Sequence, residues 1–163
     1  MHYITNISPL IKEIELRQDP TIITVNEFTE ESAKKFQDQM SVAQNSGQKV
    51  VPVEIDSFGG QVYSLMSMIA AIKASRIPVA TIVQGKAMSC GAILSTFGAD
   101  GLRFMDKDAT MMIHDVSSMD FGKVEELKAG AAEADRLNSI IYTMMARNCG
   151  KKDDYFMKIV DKK

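Results

Sequence analysis

The chain has 163 residues, 45% of them apolar, and a formal net charge of −2 at pH 7, so we expect one domain over residues 1–163 with a substantial core. The nearly balanced charge gives no reason to expect a nucleic acid or an anionic membrane surface as a partner. The sequence has no apolar segment of transmembrane length and no basic, then apolar, N-terminal signal, so we expect a cytoplasmic protein.

The hydrophobic pattern of the first half predicts strands that alternate with helices. A strand is predicted at 21–25 and a helix at 29–43, whose apolar face comprises Ala33, Phe36, Met40 and Ala43. The next strand is predicted at 50–56, although Pro52 cannot donate a hydrogen bond to a neighbouring strand. After Gly60 an apolar stripe of helical period begins, and it stops before Pro78.

The second half continues the same alternation. We expect a strand at 79–83, a short helix beginning near Ser89, a turn at 98–101, and strands near 102–105 and 110–114. Repeated β-α-β units indicate an α/β fold, with helices packed on a largely parallel sheet.

Ser89 and His114 offer a nucleophile and a base. Serine is a poor nucleophile at neutral pH, and acyl-transfer enzymes activate it with an imidazole while backbone N–H groups surround the developing oxyanion. The diglycine Gly59-Gly60, between a predicted strand and a predicted helix, lets backbone amides approach a ligand closely. Taken singly, these features are typical of a helix N-cap, a core histidine and a turn. Their joint occurrence predicts an acyl-transfer site.

Three segments of the sequence are informative together: Ser57-Phe58-Gly59-Gly60, Ala87-Met88-Ser89-Cys90-Gly91-Ala92 and Met112-Ile113-His114. They resemble segments of the ClpP family, the proteolytic subunits of the ATP-dependent Clp protease. Their order and spacing are similar to the glycine turn, the nucleophile segment and the base segment of that family. The resemblance extends from about Asp56 to Gly150, and it implies the crotonase-like ClpP version of the α/β fold.

The resemblance also assigns roles to residues. It implies that Ser89 is the nucleophile, that His114 is the general base, and that the backbone N–H groups of Gly60 and Cys90 form the oxyanion hole. Phe58 stands where the family usually has proline, and Cys90 where it usually has methionine. Neither change removes a backbone N–H that the mechanism needs.

The third catalytic residue is not evident. ClpP-like enzymes orient the histidine with an aspartate roughly fifty residues further on, where a triad requires a carboxylate. Asp161 lies near that distance from His114. The alternative is an acid beyond the last residue, in which case we expect the C-terminal part of the family fold to be absent from this sequence. Asp115 should point away from His114, since successive strand residues face opposite sides. Asp153 and Asp154 are expected as carboxylates of a helix first turn.

Residues 124–147 predict one long helix with an apolar stripe. By resemblance this is a protruding handle helix, within a handle region at 115–148, that interdigitates with an opposing ring. The alternative is an ordinary core-facing helix, but we favour an interface, because exposed apolar stripes usually mark association. Residues 1–18 correspond by resemblance to axial loops that meet an unfoldase, or else form an apolar edge packed on the body.

The resemblance therefore implies a serine endopeptidase subunit that forms a homo-oligomer, either a heptameric ring or a stacked double ring. It would degrade unfolded polypeptides supplied by a Clp-type ATP-dependent unfoldase. We expect the unfoldase to use the ATP, since Gly85-Lys86 is followed here by Ala87 and no phosphate-binding loop is completed. With two histidines and two unclustered cysteines, no metal and no other cofactor are expected.

Two other functions remain open. A catalytically impaired ClpP-like structural or regulatory subunit would account for a missing acid. A crotonase-type acyl-CoA enzyme would use two backbone N–H groups on a thioester oxyanion without a serine and histidine pair. An α/β-hydrolase is excluded, because Ala87 breaks its Gly-x-Ser-x-Gly motif.

Overall fold

The computed structural model describes residues 20–116 and 123–160. Its first elements are β1 (Ile23–Val25), α1 (Glu30–Asn45), β2 (Val51–Ser57), α2 (Val62–Lys73) and β3 (Val79–Met88). These are followed by α3 (Cys90–Ser95), β4 (Arg103–Met105), β5 (Thr110–Met112), α4 (Val124–Asn148) and α5 (Tyr155–Val160). The predicted axial-loop region at 1–18, the 117–122 part of the handle region and Asp161 lie outside the described residues.

The strands form one parallel sheet in the order β1-β2-β3-β4, with β5 also paired to β3. Strand β2 follows one side of β3 along its length, so β4 and β5 lie one after the other on the opposite side. The pairing of Lys86 to Met88 with β5 places the carboxyl end of β3 beside the segment that leads to His114. The predicted α/β fold is confirmed.

The apolar residues pack as the sequence pattern predicts. The α1 stripe is buried at all four predicted positions, Ala33, Phe36, Met40 and Ala43. Pro52 is tolerated in β2 although it has no N–H. Val51 N–H donates to Pro78 O on the β3 side, so the nitrogen of Pro52, the next residue, faces the β1 side. The pairing with β1 begins only at Val53, so no hydrogen bond to β1 is lost there. The core therefore lies between this sheet and the helices that cover it.

Helix α4 divides into an exposed N-terminal part and a buried C-terminal part. Residues 124–129 are exposed, whereas Leu137, Ile141, Tyr142 and Met145 are at most 5% exposed and belong to the single core cluster. The prediction that the whole apolar stripe is available for an interface is therefore wrong for its C-terminal half, because the domain body covers it. No helix in the described ranges is long and apolar enough to cross a membrane.

Candidate active site

Ser89 joins β3 to α3 in a strained backbone conformation. Its φ of 53° and ψ of −120° make it the one non-glycine residue with positive φ among those described. Such a conformation costs on the order of 1–3 kcal/mol and persists only where the surroundings impose it. Ser89 N–H donates to Met112 O at 2.8 Å, and Ser89 O accepts from Ile93 N–H at 3.2 Å. Its hydroxyl makes no capping bond to α3, so within the described residues Ser89 does not serve as a side-chain N-cap.

The diglycine packs directly against this turn. Gly59 has a φ of +106°, and a Cβ there would lie 2.7 Å from Ser89 Cβ and 3.2 Å from Ser89 Oγ. Gly60 has a φ of +151°, and a Cβ there would lie 2.5 Å from Phe28 O. Both positions therefore require glycine, for conformation and for space. A role in the oxyanion hole could be predicted for Gly60, but the contact of Gly59 with Ser89 depends on the tertiary fold and could not be predicted.

The four predicted site residues line one small cavity of about 60 Å³. The cavity brings together Gly60, the adjacent pair Ser89 and Cys90, and His114, which come from three segments of the chain. As the first residue of α3, Cys90 carries one of the N–H groups that have no partner within the helix. The remaining lining residues are Val62, Ile93, Val116, Asn138, Ile141 and Tyr142. The last three lie on one face of α4, and sequence periodicity alone could not show which face meets the site.

His114 is half-buried, and its ring has a fixed partner on one side. Nδ1 lies 2.6 Å from the backbone O of Asp115. A carbonyl oxygen only accepts, so Nδ1 carries the proton in this contact and Nε2 is left as the basic nitrogen. Among the described residues no hydrogen bond joins the His114 ring to Ser89, as is common in enzymes without bound substrate, where catalytic hydrogen bonds are often long.

The candidate carboxylates lie elsewhere. Asp115 Oδ1 accepts a hydrogen bond from the Tyr142 hydroxyl at 3.2 Å, away from the imidazole as expected. Asp153 accepts from Arg147, whose guanidinium lowers the pKa of that carboxyl. A hydrogen bond from Lys158 likewise lowers the pKa of Asp154. Both aspartates precede α5 and do not lie in its first turn. No carboxylate in the described part of the chain is hydrogen-bonded to His114.

Cys90 is a poor competitor for the role of nucleophile. Its side chain is 1% exposed, and burial raises the pKa of the thiol above its ordinary value. A thiol with a raised pKa contributes little thiolate at neutral pH, and the thiolate is the reactive form. Its Sγ also donates to Gly60 O at 3.3 Å. These properties favour Ser89 over Cys90 as the candidate nucleophile at this site.

Lys86, the nearest alternative activator in sequence, is engaged away from Ser89. Its Nζ donates to Asp56 Oδ1 at 2.8 Å and lies 4.6 Å from the centre of the exposed Phe58 ring. The ammonium group lowers the pKa of Asp56 through this hydrogen bond. A lysine held in an ion pair is charged and has no lone pair to take a proton, so His114 is the base that the geometry favours.

Comparisons with known proteins show which proteins this chain is similar to. The model of the Clp protease family matches residues 11–163. The ATP-dependent Clp protease proteolytic subunit 3 of Nocardia farcinica is 33% identical over 114 residues, which cover 69% of this chain and 52% of the relative. Subunit 2 of Frankia casuarinae is 29% identical over 112 residues, with coverages of 69% and 52%. Subunit 2 of Mycobacterium tuberculosis is 30% identical over 114 residues, with coverages of 69% and 53%. The chain thus spans about half the length of the curated relatives it matches.

Proposed function

Because the chain belongs to the Clp protease family, we propose that it is a serine endopeptidase subunit acting on unfolded polypeptides. The observation that carries the proposal is the single cavity lined by Ser89, His114, Gly60 and Cys90. Strain at Ser89 and the close approach of Gly59 support it, since conformations of this kind persist where a site needs them.

The reaction follows from the roles of these groups. Nε2 of His114 takes the proton from Ser89 Oγ as the oxygen attacks the scissile carbonyl. The N–H groups of Gly60 and Cys90 bind the oxyanion, and the protonated imidazole gives its proton to the leaving amine. A water molecule that loses a proton to His114 then hydrolyses the acyl-enzyme and frees Ser89.

Two assays test this function. Turnover of a small fluorogenic peptide separates a peptidase from a structural or regulatory subunit. Covalent labelling by a fluorophosphonate separates an activated serine from a crotonase-type acyl-CoA enzyme, which needs none. We expect both signals from the wild-type chain; absence of both would refute the proposal.

The impaired-subunit alternative has one observation in its favour. Within the described residues His114 lacks a carboxylate partner, and removing the aspartate of a triad costs about 10⁴-fold in turnover. A chain that labels slowly and turns over peptide weakly remains a peptidase in this account. A chain that does neither is a structural or regulatory subunit or a crotonase-type enzyme, and not a peptidase.

The partners are also part of the proposal. The relatives are named as subunits of an ATP-dependent protease. We propose that this chain likewise assembles with copies of itself, in a heptameric ring or a stacked double ring. It would receive substrate in the cytoplasm from a Clp-type unfoldase, which would use the ATP. No group of His, Cys, Asp or Glu within the described ranges is arranged to hold a metal ion.

The exposed part of α4 offers a test of the stacked ring. Val124 and Leu127 are 65% and 40% exposed. If they lie between two stacked rings, the double variant Val124→Glu with Leu127→Glu should separate the rings. We expect its sedimenting mass to fall to about half that of the wild type, with an unchanged helical circular dichroism signal. Ile141→Glu is the contrasting variant: Ile141 is 1% exposed, and a charge buried there should lower the free energy of unfolding by on the order of 4 kcal/mol. Unchanged sedimentation of the double variant would contradict a handle interface.

A further inference from the structure

A short series of hydrogen bonds connects the His114 ring to helix α4. Nδ1 of His114 lies 2.6 Å from the carbonyl oxygen of Asp115. The N–H of the same peptide group, that of Val116, donates to Asn138 Oδ1 at 2.8 Å. A peptide group is planar, so a partner that fixes the direction of its N–H also fixes the direction of its C=O. The Asn138 side chain thus sets the orientation of the acceptor that His114 uses.

The same face of α4 provides a second anchor. Tyr142, one helical turn after Asn138, donates its hydroxyl to Asp115 Oδ1 at 3.2 Å. Tyr142 is 2% exposed and belongs to the core, so this anchor is fixed to the domain body. Asn138 therefore holds the peptide group that follows Asp115, and Tyr142 holds the Asp115 side chain.

We propose that Asn138 is a positioning residue for His114: it holds the Asp115–Val116 peptide group so that this carbonyl accepts the hydrogen bond that keeps the proton on Nδ1. The proton stays on Nδ1 throughout, and Nε2 remains free to take the Ser89 proton. The hydrogen bond from Val116 N–H to Asn138 Oδ1 polarises the Asp115–Val116 peptide group and makes its carbonyl a stronger acceptor. The effect of Asn138 on turnover rests on the proposed peptidase function. Its effect on the His114 tautomer does not depend on that function.

The tautomer can be measured without any activity. The chain has two histidines, His2 and His114, so in a His2→Gln background ring-labelled histidine reports on His114 alone. We would record magic-angle-spinning ¹⁵N spectra of the assembled protein at about pH 9, well above the ordinary histidine pKa of about 6.5. We expect the Nδ1–H form to dominate, although free histidine favours Nε2–H.

Variants of Asn138 then test its role. Asn138→Ala should shift His114 toward the Nε2–H form, and the near-isosteric Asn138→Leu should do the same if the alanine variant folds poorly. Asn138→Asp keeps an oxygen that accepts from Val116 N–H, so it should retain Nδ1–H. Asn148→Ala is the matched control on α4: its side chain donates to Thr96 Oγ1, away from His114, and the spectrum should not change.

Kinetics add a second readout. Asn138→Ala should lower kcat on the order of tenfold with KM within a few-fold, and Asn138→Asp should restore kcat. The expected loss is well below the 10⁴-fold of a removed triad aspartate, because water can replace the missing partner part of the time. Asp161→Asn should change neither the tautomer nor kcat.

Two results would overturn the proposal: an unchanged tautomer in both Asn138→Ala and Asn138→Leu, or a shift to Nε2–H in Asp161→Asn with a loss near 10⁴-fold. The second result would mean that Asp161 is the orienting group. If the wild type has no peptidase activity, the proposed function fails, and the spectra alone still decide whether Asn138 orients His114.

Discussion

Ser89→Ala is expected to abolish fluorophosphonate labelling and to lower peptide turnover by on the order of 10³-fold or more. A full triad loses about 10⁶-fold when its serine is removed. We expect a smaller loss here, because the partner of His114 Nδ1 among the described residues is a neutral carbonyl and not a carboxylate. The substitution removes one oxygen that makes no capping bond, so the fold should be unaffected. Labelling followed by intact mass, turnover and circular dichroism measure the three effects.

The control for this variant is Ser67→Ala. The Ser67 hydroxyl donates to Tyr63 O within α2, outside the cavity, so this variant should label and turn over peptide as the wild type does. Full cleavage retained by Ser89→Ala would show that another group performs the chemistry.

Gly59→Ala should disable the site through geometry. The added Cβ would come within 2.7 Å of Ser89 Cβ at a φ of +106°, so either the nucleophile turn or the glycine turn must move. A displacement near 1 Å can cost on the order of 10²-fold in rate, and the strained backbone adds roughly 1–3 kcal/mol of destabilisation. Labelling rate and a urea unfolding curve measure the two effects separately.

Gly101→Ala is the matched control for that loss. Gly101 also has positive φ, +77°, but a Cβ there would have no neighbour within 4 Å. Its substitution should therefore cost stability by a similar backbone effect and leave labelling unchanged. Equal labelling by the two variants would mean that the contact between Gly59 and Ser89 does not shape the site.

The strand and helix order could be predicted because it depends on local pattern. The α1 stripe and the parallel pairing of β2 with β3 both follow from hydrophobic period and chain order. Ser89 and His114 could be predicted because their segments keep a recognisable spacing, and the structure places them in one cavity. What each of them does stays a prediction until it is tested.

The remaining features depend on contacts between distant segments. The apolar stripe of α4 has the same period whether it faces a partner or the core, so the burial of Ile141 and Met145 could not be read from it. The role proposed for Asn138 could not be predicted from the sequence, because an asparagine in an amphipathic helix is common. Only the fold brings Val116 N–H to its side-chain oxygen. Such contacts between distant residues are what the structure adds.

The most direct test of the account is to map where a fluorophosphonate binds wild-type protein, by peptide mass spectrometry, and to compare the labelling rate with that of His114→Ala. We predict one adduct, on Ser89, formed much more slowly in the variant, since an unassisted serine is rarely ionised. Absence of an adduct on Ser89, or an adduct that forms equally fast without His114, would contradict the account.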